Sequence, residues 1–208
     1  MIGVCVATED SLSEAVVERL VQEENQRMQI TIRMGKKGNS YLHKKFLSFN
    51  EMSRSIPVLL FTDLDRIECP MALIEDWRGK SVLEGMLLFR IAVRETETWL
   101  LADRDGFSEF SGVPAHRIPL QPESLNDPKE VLINLIRRYS KKRAIKADIL
   151  PERGSTAKVG LAYNQALCGF VQGLWSLERA AQSADSLNRA RRRLHDLHLK
   201  LKSRSEGV

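Results

Sequence analysis

Residues 56–66 read IPVLLFTDLDR, an apolar run that ends abruptly in two aspartates. A strand that helices bury on both faces is apolar along its length, so this run predicts a central strand of a parallel sheet. Residues 1–7, 28–34 and 86–93 predict three further strands, with helical spacing of apolar residues between them. Alternating strands and helices predict an α/β fold, with a mostly parallel, Rossmann-like sheet flanked by helices.

The second half of the chain has a different pattern, because strand signals fade beyond residue 104. Four prolines within 113–128 predict an extended connector. Helices are then predicted from Pro128, over 157–174 and over 186–201, the last one basic and amphipathic. We therefore expect two domains, an α/β core over 1–104 and a helical C-terminal extension over 105–208 that packs on the core.

Composition narrows the classes of function. The chain has 208 residues and three cysteines that lie far apart. Their spacing predicts neither a zinc site nor a disulfide framework. Because such cysteine usage fits a reducing compartment, a cytoplasmic protein is expected. No apolar stretch approaches the roughly 20 residues of a membrane helix. The net charge is +5, with basic runs at Arg137–Arg138, Lys141–Arg143 and Arg189–Arg193. These runs indicate either solvated helix faces or a rim that suits a polyanion.

Acidic side chains follow three of the predicted strands. Glu9 comes after the first, Asp63 and Asp65 after the buried run, and Glu95 and Glu97 after the last. Ligands of parallel α/β sheets bind beyond the carboxyl ends of the strands, so these groups are expected to converge if the strands are adjacent. Converging carboxylates repel each other unless a cation neutralises them. Hard oxygen ligands favour Mg²⁺ or Mn²⁺ over zinc.

The Asp-Leu-Asp spacing has two interpretations. In an extended segment alternate residues share a side, so Asp63 and Asp65 would face one ion while Leu64 packs away from it. The alternative is that the two aspartates begin a turn or cap the next helix.

The flanking acidic residues also have alternative roles. Glu9 and Asp10 precede a helix, whose N-terminal dipole favours negative charge. In a helix Glu95 and Glu97 would point apart, and we expect Glu95 to face the site while the other carboxylate binds a neighbouring arginine.

An N-terminal strand followed by Glu9, with a later buried strand that ends in Asp63 and Asp65, resembles the Toprim domain of topoisomerases, primases and overcoming-lysogenization-defect nucleases. The stretches FTDLDR (61–66), RETETWLLAD (94–103), DPKE (127–130) and SLNRA (186–190) resemble an uncharacterised bacterial Toprim-like family of predicted nucleases, linked to mobile elements and defence.

The resemblance implies that Asp63 and Asp65 bind Mg²⁺, and that Glu9 acts as general acid or base in phosphodiester transfer. Many Toprim domains carry a glycine directly after the glutamate, where this chain has Asp10.

Basic residues near these motifs are candidates for holding a phosphate backbone. Lys36 and Lys37 lie in a glycine-flanked loop that lacks the spacing of a P-loop. Arg66, Arg90 and Arg94 lie beside the acidic motifs.

Three hypotheses follow. The first is a metal-dependent phosphodiesterase, a nuclease acting on nucleic acid, in which Glu95 or Glu97 supports a second ion. The second is a non-catalytic protein that binds metal or nucleotide and works with a partner such as an ATPase. The third is a plain α/β fold whose acidic residues cap helices. The oligomeric state is left open.

Overall fold

The structure, a computed structural model, describes residues 1–24 and 27–206. The chain forms two compact units, one of residues 1–92 with 188–208 and the other of residues 93–187. The predicted division at residue 104 stays a prediction. None of the helices in the described ranges combines the length and apolarity that crossing a membrane requires.

The first unit is built on a four-stranded sheet. Its strands are β1 (Ile2–Thr8), β2 (Met28–Gly35), β3 (Val58–Asp63) and β4 (Leu87–Ala92). Every pairing is parallel and the strand order is β2-β1-β3-β4. The apolar run predicted as a central strand is β3, which is buried from Val58 to Thr62.

The connections of this sheet place helices on both faces. The unit contains α1 (Ser11–Glu23), α2 (Asn39–Met52), α3 (Pro70–Arg78) and most of α10 (Asp185–Glu206). The connection through α1 runs from β1 to β2, whereas the one through α2 runs back past β1 to β3. Right-handed crossovers in opposite directions put α1 and α2 on opposite faces of the sheet. An aromatic cluster of Phe46, Trp77 and Phe89 fills the α2–α3 face.

The second unit is helical. Its helices are α4 (Thr96–Ala102), α5 (Arg104–Ser111), α6 (Pro128–Tyr139), α7 (Arg143–Ile149), α8 (Tyr163–Gly173) and α9 (Leu177–Ala181), and the first residues of α10 belong to it. Phe107, Phe110 and Phe170 stack in its core. The indole nitrogen of Trp175 donates a hydrogen bond to the carbonyl oxygen of Trp99, 3.0 Å away.

Asp103 is the polar anchor of this unit. Its side chain is fully buried. It accepts two hydrogen bonds from Arg179, at 2.6 and 2.8 Å, and two from the backbone nitrogens of Gly106 and Ser176. A buried carboxylate is tolerated when its lone pairs are satisfied in this way.

The predicted α/β class is confirmed, with an all-parallel sheet, flanking helices and a helical C-terminal end. Two details of the helical half differ. The helix predicted over 157–174 begins only at Tyr163, and the short helices α5, α7 and α9 interrupt segments that carried no clear helical pattern.

Candidate metal centre

The point where the sheet reverses its order lies between β1 and β3. The chain leaves β1 towards β2 on one side, and later strands are added on the other side. In open parallel sheets the crevice at such a switch point, beyond the carboxyl ends of the strands, is where ligands bind. Glu9 directly follows β1 and Asp63 is the last residue of β3. The sheet therefore brings these two predicted site residues to its switch point.

The Glu9 carboxylate is held by one of its two oxygens. Oε1 accepts a hydrogen bond from the Asp63 backbone nitrogen (2.9 Å), one from the Thr62 hydroxyl and one from Asn39 Nδ2 (3.4 Å). Asn39 Nδ2 also lies 3.1 Å from the Thr62 hydroxyl oxygen. Among the described residues no hydrogen bond ends on Oε2. The contacts therefore fix the carboxylate and leave Oε2 for a ligand.

The loop between β2 and α2 closes over the end of β1. The backbone nitrogen of Gly38 donates to the carbonyl oxygen of Glu9 at 3.0 Å, and that of Lys36 donates to Thr8 at 2.7 Å. Gly35 has a φ of +97°, and a Cβ there would lie 2.0 Å from the Thr8 carbonyl oxygen. Only glycine permits this approach, which sets Asn39 at the start of α2 within reach of Glu9.

Asp65 does not continue the strand. β3 ends at Asp63, Leu64 is buried, and Asp65 adopts a left-handed conformation with φ of +52° in a turn. The extended segment that this prediction assumed therefore ends at Asp63, although Leu64 packs inward as expected, and the binding of one ion by both aspartates stays a prediction. Asp is one of the few non-glycine residues that enters this conformation readily. The turn exposes Asp65, while Asp63 is half-buried.

Electrostatics link the turn to Glu9. Burial raises the pKa of Glu9 above its ordinary value, and the charge of Asp65 raises this pKa further, against the lowering effect of the three hydrogen bonds. A cation bound beside Glu9 would stabilise the charged form that burial and the charge of Asp65 disfavour.

The donor set fits a hard cation that keeps part of its water shell. Across the described part of the chain, no three or more His, Cys, Asp and Glu side chains are grouped to hold a metal ion. Mg²⁺ commonly binds proteins through one or two carboxylates, with water and substrate phosphate completing its octahedron. Glu9 and Asp63 at the switch point, with Asp65 acting on Glu9, suit that mode of binding.

Asp10 has a structural role. Its side chain accepts a hydrogen bond from the Ser13 backbone nitrogen at 2.8 Å and caps α1. Its φ of −147° is ordinary extended backbone, so this turn requires no glycine. Asp10 therefore lies at the N-terminus of a helix, as predicted, and caps it.

Glu95 and Glu97 belong to the second unit and have partners there. Glu95 Oε2 accepts a hydrogen bond from the Lys129 backbone nitrogen at 2.8 Å, and burial raises its pKa. Glu97 is 2% exposed. Its Oε1 accepts from the Tyr163 hydroxyl at 2.8 Å and lies 3.3 Å from Lys129 Nζ. Their role as metal ligands stays a prediction.

The predicted phosphate-binding residues of the first unit occupy varied surroundings. Lys36 Nζ lies 3.0 Å from a Glu14 carboxylate oxygen, Lys37 Nζ lies 5.3 Å from the centre of the Tyr41 ring, and Arg66 is exposed in the turn after Asp65. All three are accessible to a ligand.

Arg90 lies inside β4, paired in register with Phe61. Burial lowers the pKa of its guanidinium to about 10, and the charge of Arg193 lowers it too. Arg94 is half-buried at the start of the second unit. Substrate binding by these two residues stays a prediction.

Sequence reasoning missed Asn39 and Thr62, which hold Glu9. The sequence does mark Thr62, because it is the polar residue that ends the apolar run just before Asp63. Asn39 gave none, because its approach depends on the backbone conformation at Gly35 and Gly38.

The sequence matches no family profile and no curated protein. Among solved structures, the C-terminal region of the Burkholderia pseudomallei OLD protein is similar to this chain, with a TM-score of 0.46 and 15% sequence identity. The alignment covers 94% of this chain and 98% of that one. A likeness at this TM-score carries no argument about fold or activity.

Proposed function

We propose that this protein is a metal-dependent phosphodiesterase, and most simply a nuclease that uses Mg²⁺ or Mn²⁺. The observation that carries the proposal is the set of hydrogen bonds and the raised pKa of the Glu9 carboxyl group. This half-buried carboxylate is fixed through Oε1, keeps Oε2 for a ligand, and has its pKa raised by burial and by Asp65 at the sheet's switch point. The resemblance of Glu9, Asp63 and Asp65 to the Toprim pattern supports the same chemistry.

Each residue has a distinct part in this proposal. Asp63 and Asp65 hold the divalent ion, which when bound polarises the scissile phosphate and stabilises its developing charge. Glu9 either completes the metal shell or carries a proton on Oε2. The second role agrees with its raised pKa, since a carboxyl group that keeps its proton closer to neutral pH is the better general acid. Asn39 and Thr62 orient the group by fixing Oε1.

Lys36, Lys37 and Arg66 are the cations that we assign to the substrate backbone. They come from the β2–α2 loop and the turn after β3, the two segments that flank Glu9. Their charges offset those of the phosphates without reading the bases. The physiological setting that the resemblance implies, defence or mobile-element biology, is part of this proposal.

Incubation of the purified protein with plasmid DNA, single-stranded DNA and RNA in millimolar Mg²⁺ or Mn²⁺ tests the proposal. Wild type should cleave at least one of them, and Asp63→Asn should lower the rate roughly 10²–10³-fold, as expected when one electrostatic stabiliser is removed. Glu68→Gln is the matched control, because Glu68 is an exposed carboxylate beside the same turn. Equal rates for wild type and Asp63→Asn would show that the cleavage does not come from this site.

A further inference from the structure

The positive charge of the chain is concentrated in one segment of the second unit. Residues Arg137–Lys146 read RRYSKKRAIK, with six Arg and Lys residues and no Asp or Glu. The net charge of the chain is +5, so subtracting these six charges leaves −1 for all other residues together. Without these ten residues, which we call the basic segment, the chain would carry no net positive charge.

Among the described residues, the cations of this segment have no carboxylate partners. In the part of the chain that the structure describes, none of the six forms an ion pair. Elsewhere the cations that pair with a carboxylate include Arg33, Lys36, Arg54, Lys129, Arg179 and Arg191. The basic segment thus places six such cations within ten residues that include no acidic residue.

Helix stabilisation explains only part of the segment. Arg137 and Arg138 lie in the last turn of α6, where cations interact favourably with the helix dipole. Lys141, Lys142 and Arg143 lie at the opposite kind of helix end, the start of α7, where the dipole opposes positive charge. The dipole of α7 therefore does not explain these three cations.

Hydrogen bonds hold the backbone and two side chains of the segment in place. The hydroxyl of buried Ser140 donates to the Ser111 carbonyl oxygen at 2.6 Å and accepts from the Lys142 backbone nitrogen at 3.1 Å. Lys142 Nζ donates to the carbonyl oxygen of Glu109 at 2.5 Å, and Lys146 Nζ to that of Arg137 at 3.0 Å. A surface ordered in advance loses less conformational entropy when a ligand binds.

We propose that the basic segment is a docking surface for the sugar-phosphate backbone of a nucleic acid, bound through charge and without base selectivity. Charge complementarity favours this ligand, because six cations without an ion pair among the described residues lie on adjoining helix ends and match a regular row of negative charges. The inference rests on the proposed function for the choice of nucleic acid among polyanions, and it deepens that function by locating a second, non-catalytic contact.

The side chains between the cations favour a phosphate backbone over a membrane. Basic membrane-surface segments pair their cations with exposed Trp, Phe or Leu that enter the lipid. Here Tyr139 is half-buried with the Arg117 guanidinium 5.1 Å from its ring centre, Ile145 is half-buried, and exposed Ala144 is small. Arg117, itself exposed, adds a further cation beside the segment.

Equilibrium binding of fluorescent duplex DNA in EDTA, over a series of salt concentrations, tests the proposal. The variant is Arg138→Gln, Lys141→Gln and Arg143→Gln together, since these exposed side chains make no hydrogen bond among the described residues. We expect about tenfold or more weaker binding, and a salt slope reduced by roughly 2.7, because each lost phosphate contact removes about 0.9. The matched control removes the same charge from exposed Lys44, Lys45 and Lys80 of the first unit.

An equal loss in the triple variant and its control would overturn the proposal, because net charge alone would then explain the binding. Binding to phosphatidylserine vesicles that depends on the segment, without binding to DNA, would overturn it in favour of a membrane. The assay is independent of cleavage. If the triple variant binds DNA like wild type, this inference is refuted and the proposed function is not. If no preparation cleaves nucleic acid but binding still depends on the segment, only the proposed function is refuted.

Discussion

Substitution of Glu9 by Gln separates the stability of the site from its chemistry. The glutamine carbonyl oxygen can accept the same hydrogen bonds that Oε1 accepts from Asn39, Thr62 and the Asp63 backbone. The substitution removes the negative charge that burial and Asp65 disfavour. Because folding raises the pKa of this carboxyl group, the group costs stability once it is ionised, above its folded pKa. Glu9→Gln should therefore be at least as stable as wild type in EDTA at neutral pH.

A bound cation is expected to make wild type more stable than Glu9→Gln. At a Mg²⁺ concentration ten times the dissociation constant, binding to the folded state adds about 1.4 kcal/mol. For a chain of this length that raises Tm by roughly 3–6 °C. Whether Glu9 coordinates the ion or lies beside it, Glu9→Gln removes a negative charge from the site and should show a much smaller rise.

Thermal unfolding gives the Tm of wild type and of Glu9→Gln, each in EDTA and in Mg²⁺. The control Glu68→Gln is expected to show the same rise in Tm with Mg²⁺ as wild type. The reasoning is refuted if Glu9→Gln keeps the full Mg²⁺ shift, or if it is about 1 kcal/mol or more less stable than wild type in EDTA, since the carboxylate would then be stabilising in its own right.

Three further outcomes are expected. In EDTA the stability advantage of Glu9→Gln should be largest at neutral pH and should vanish below the ordinary glutamate pKa of 4.5, as measured by urea unfolding across pH. Gly35→Ala should lose about 3 kcal/mol or more and the Mg²⁺ response, because its Cβ would meet a carbonyl oxygen at 2.0 Å, whereas Gly38→Ala, with positive φ but no atom within 4 Å, should lose about 1 kcal/mol. Asp103→Ala should cost about 3 kcal/mol in urea unfolding, because Arg179 and two backbone nitrogens lose a buried acceptor.

The sheet could be predicted because its signal is local. The continuous apolar run of β3 requires helices on both faces, and the alternation of elements along the chain requires parallel pairing. The late start of α8 could not be predicted in this way. A Cβ at Gly160 would lie 2.3 Å from the Asp148 carbonyl oxygen, so tertiary packing fixes the chain just before this helix. No local pattern encodes such a contact.

The candidate site likewise has some features that local sequence predicts and others that depend on tertiary contacts. The sequence places Glu9 and Asp63 at the ends of two strands, and the sheet order shows that these two ends are neighbours. The left-handed conformation of Asp65 directly after buried Leu64 is a turn that strand alternation does not predict. The hydrogen bond of Tyr163 to Glu97 joins residues that are 66 positions apart. Contacts between residues so far apart in the chain leave no periodic pattern of apolar residues in the sequence.

Mn²⁺ binding, measured by electron paramagnetic resonance of the free ion, tests the central claim most directly. Wild type and Glu68→Gln should each bind Mn²⁺ with the same affinity, and Asp63→Asn should lose that binding while keeping its fold by circular dichroism. Mn²⁺ binding that is unchanged in folded Asp63→Asn would contradict a metal centre at the junction of β1 and β3.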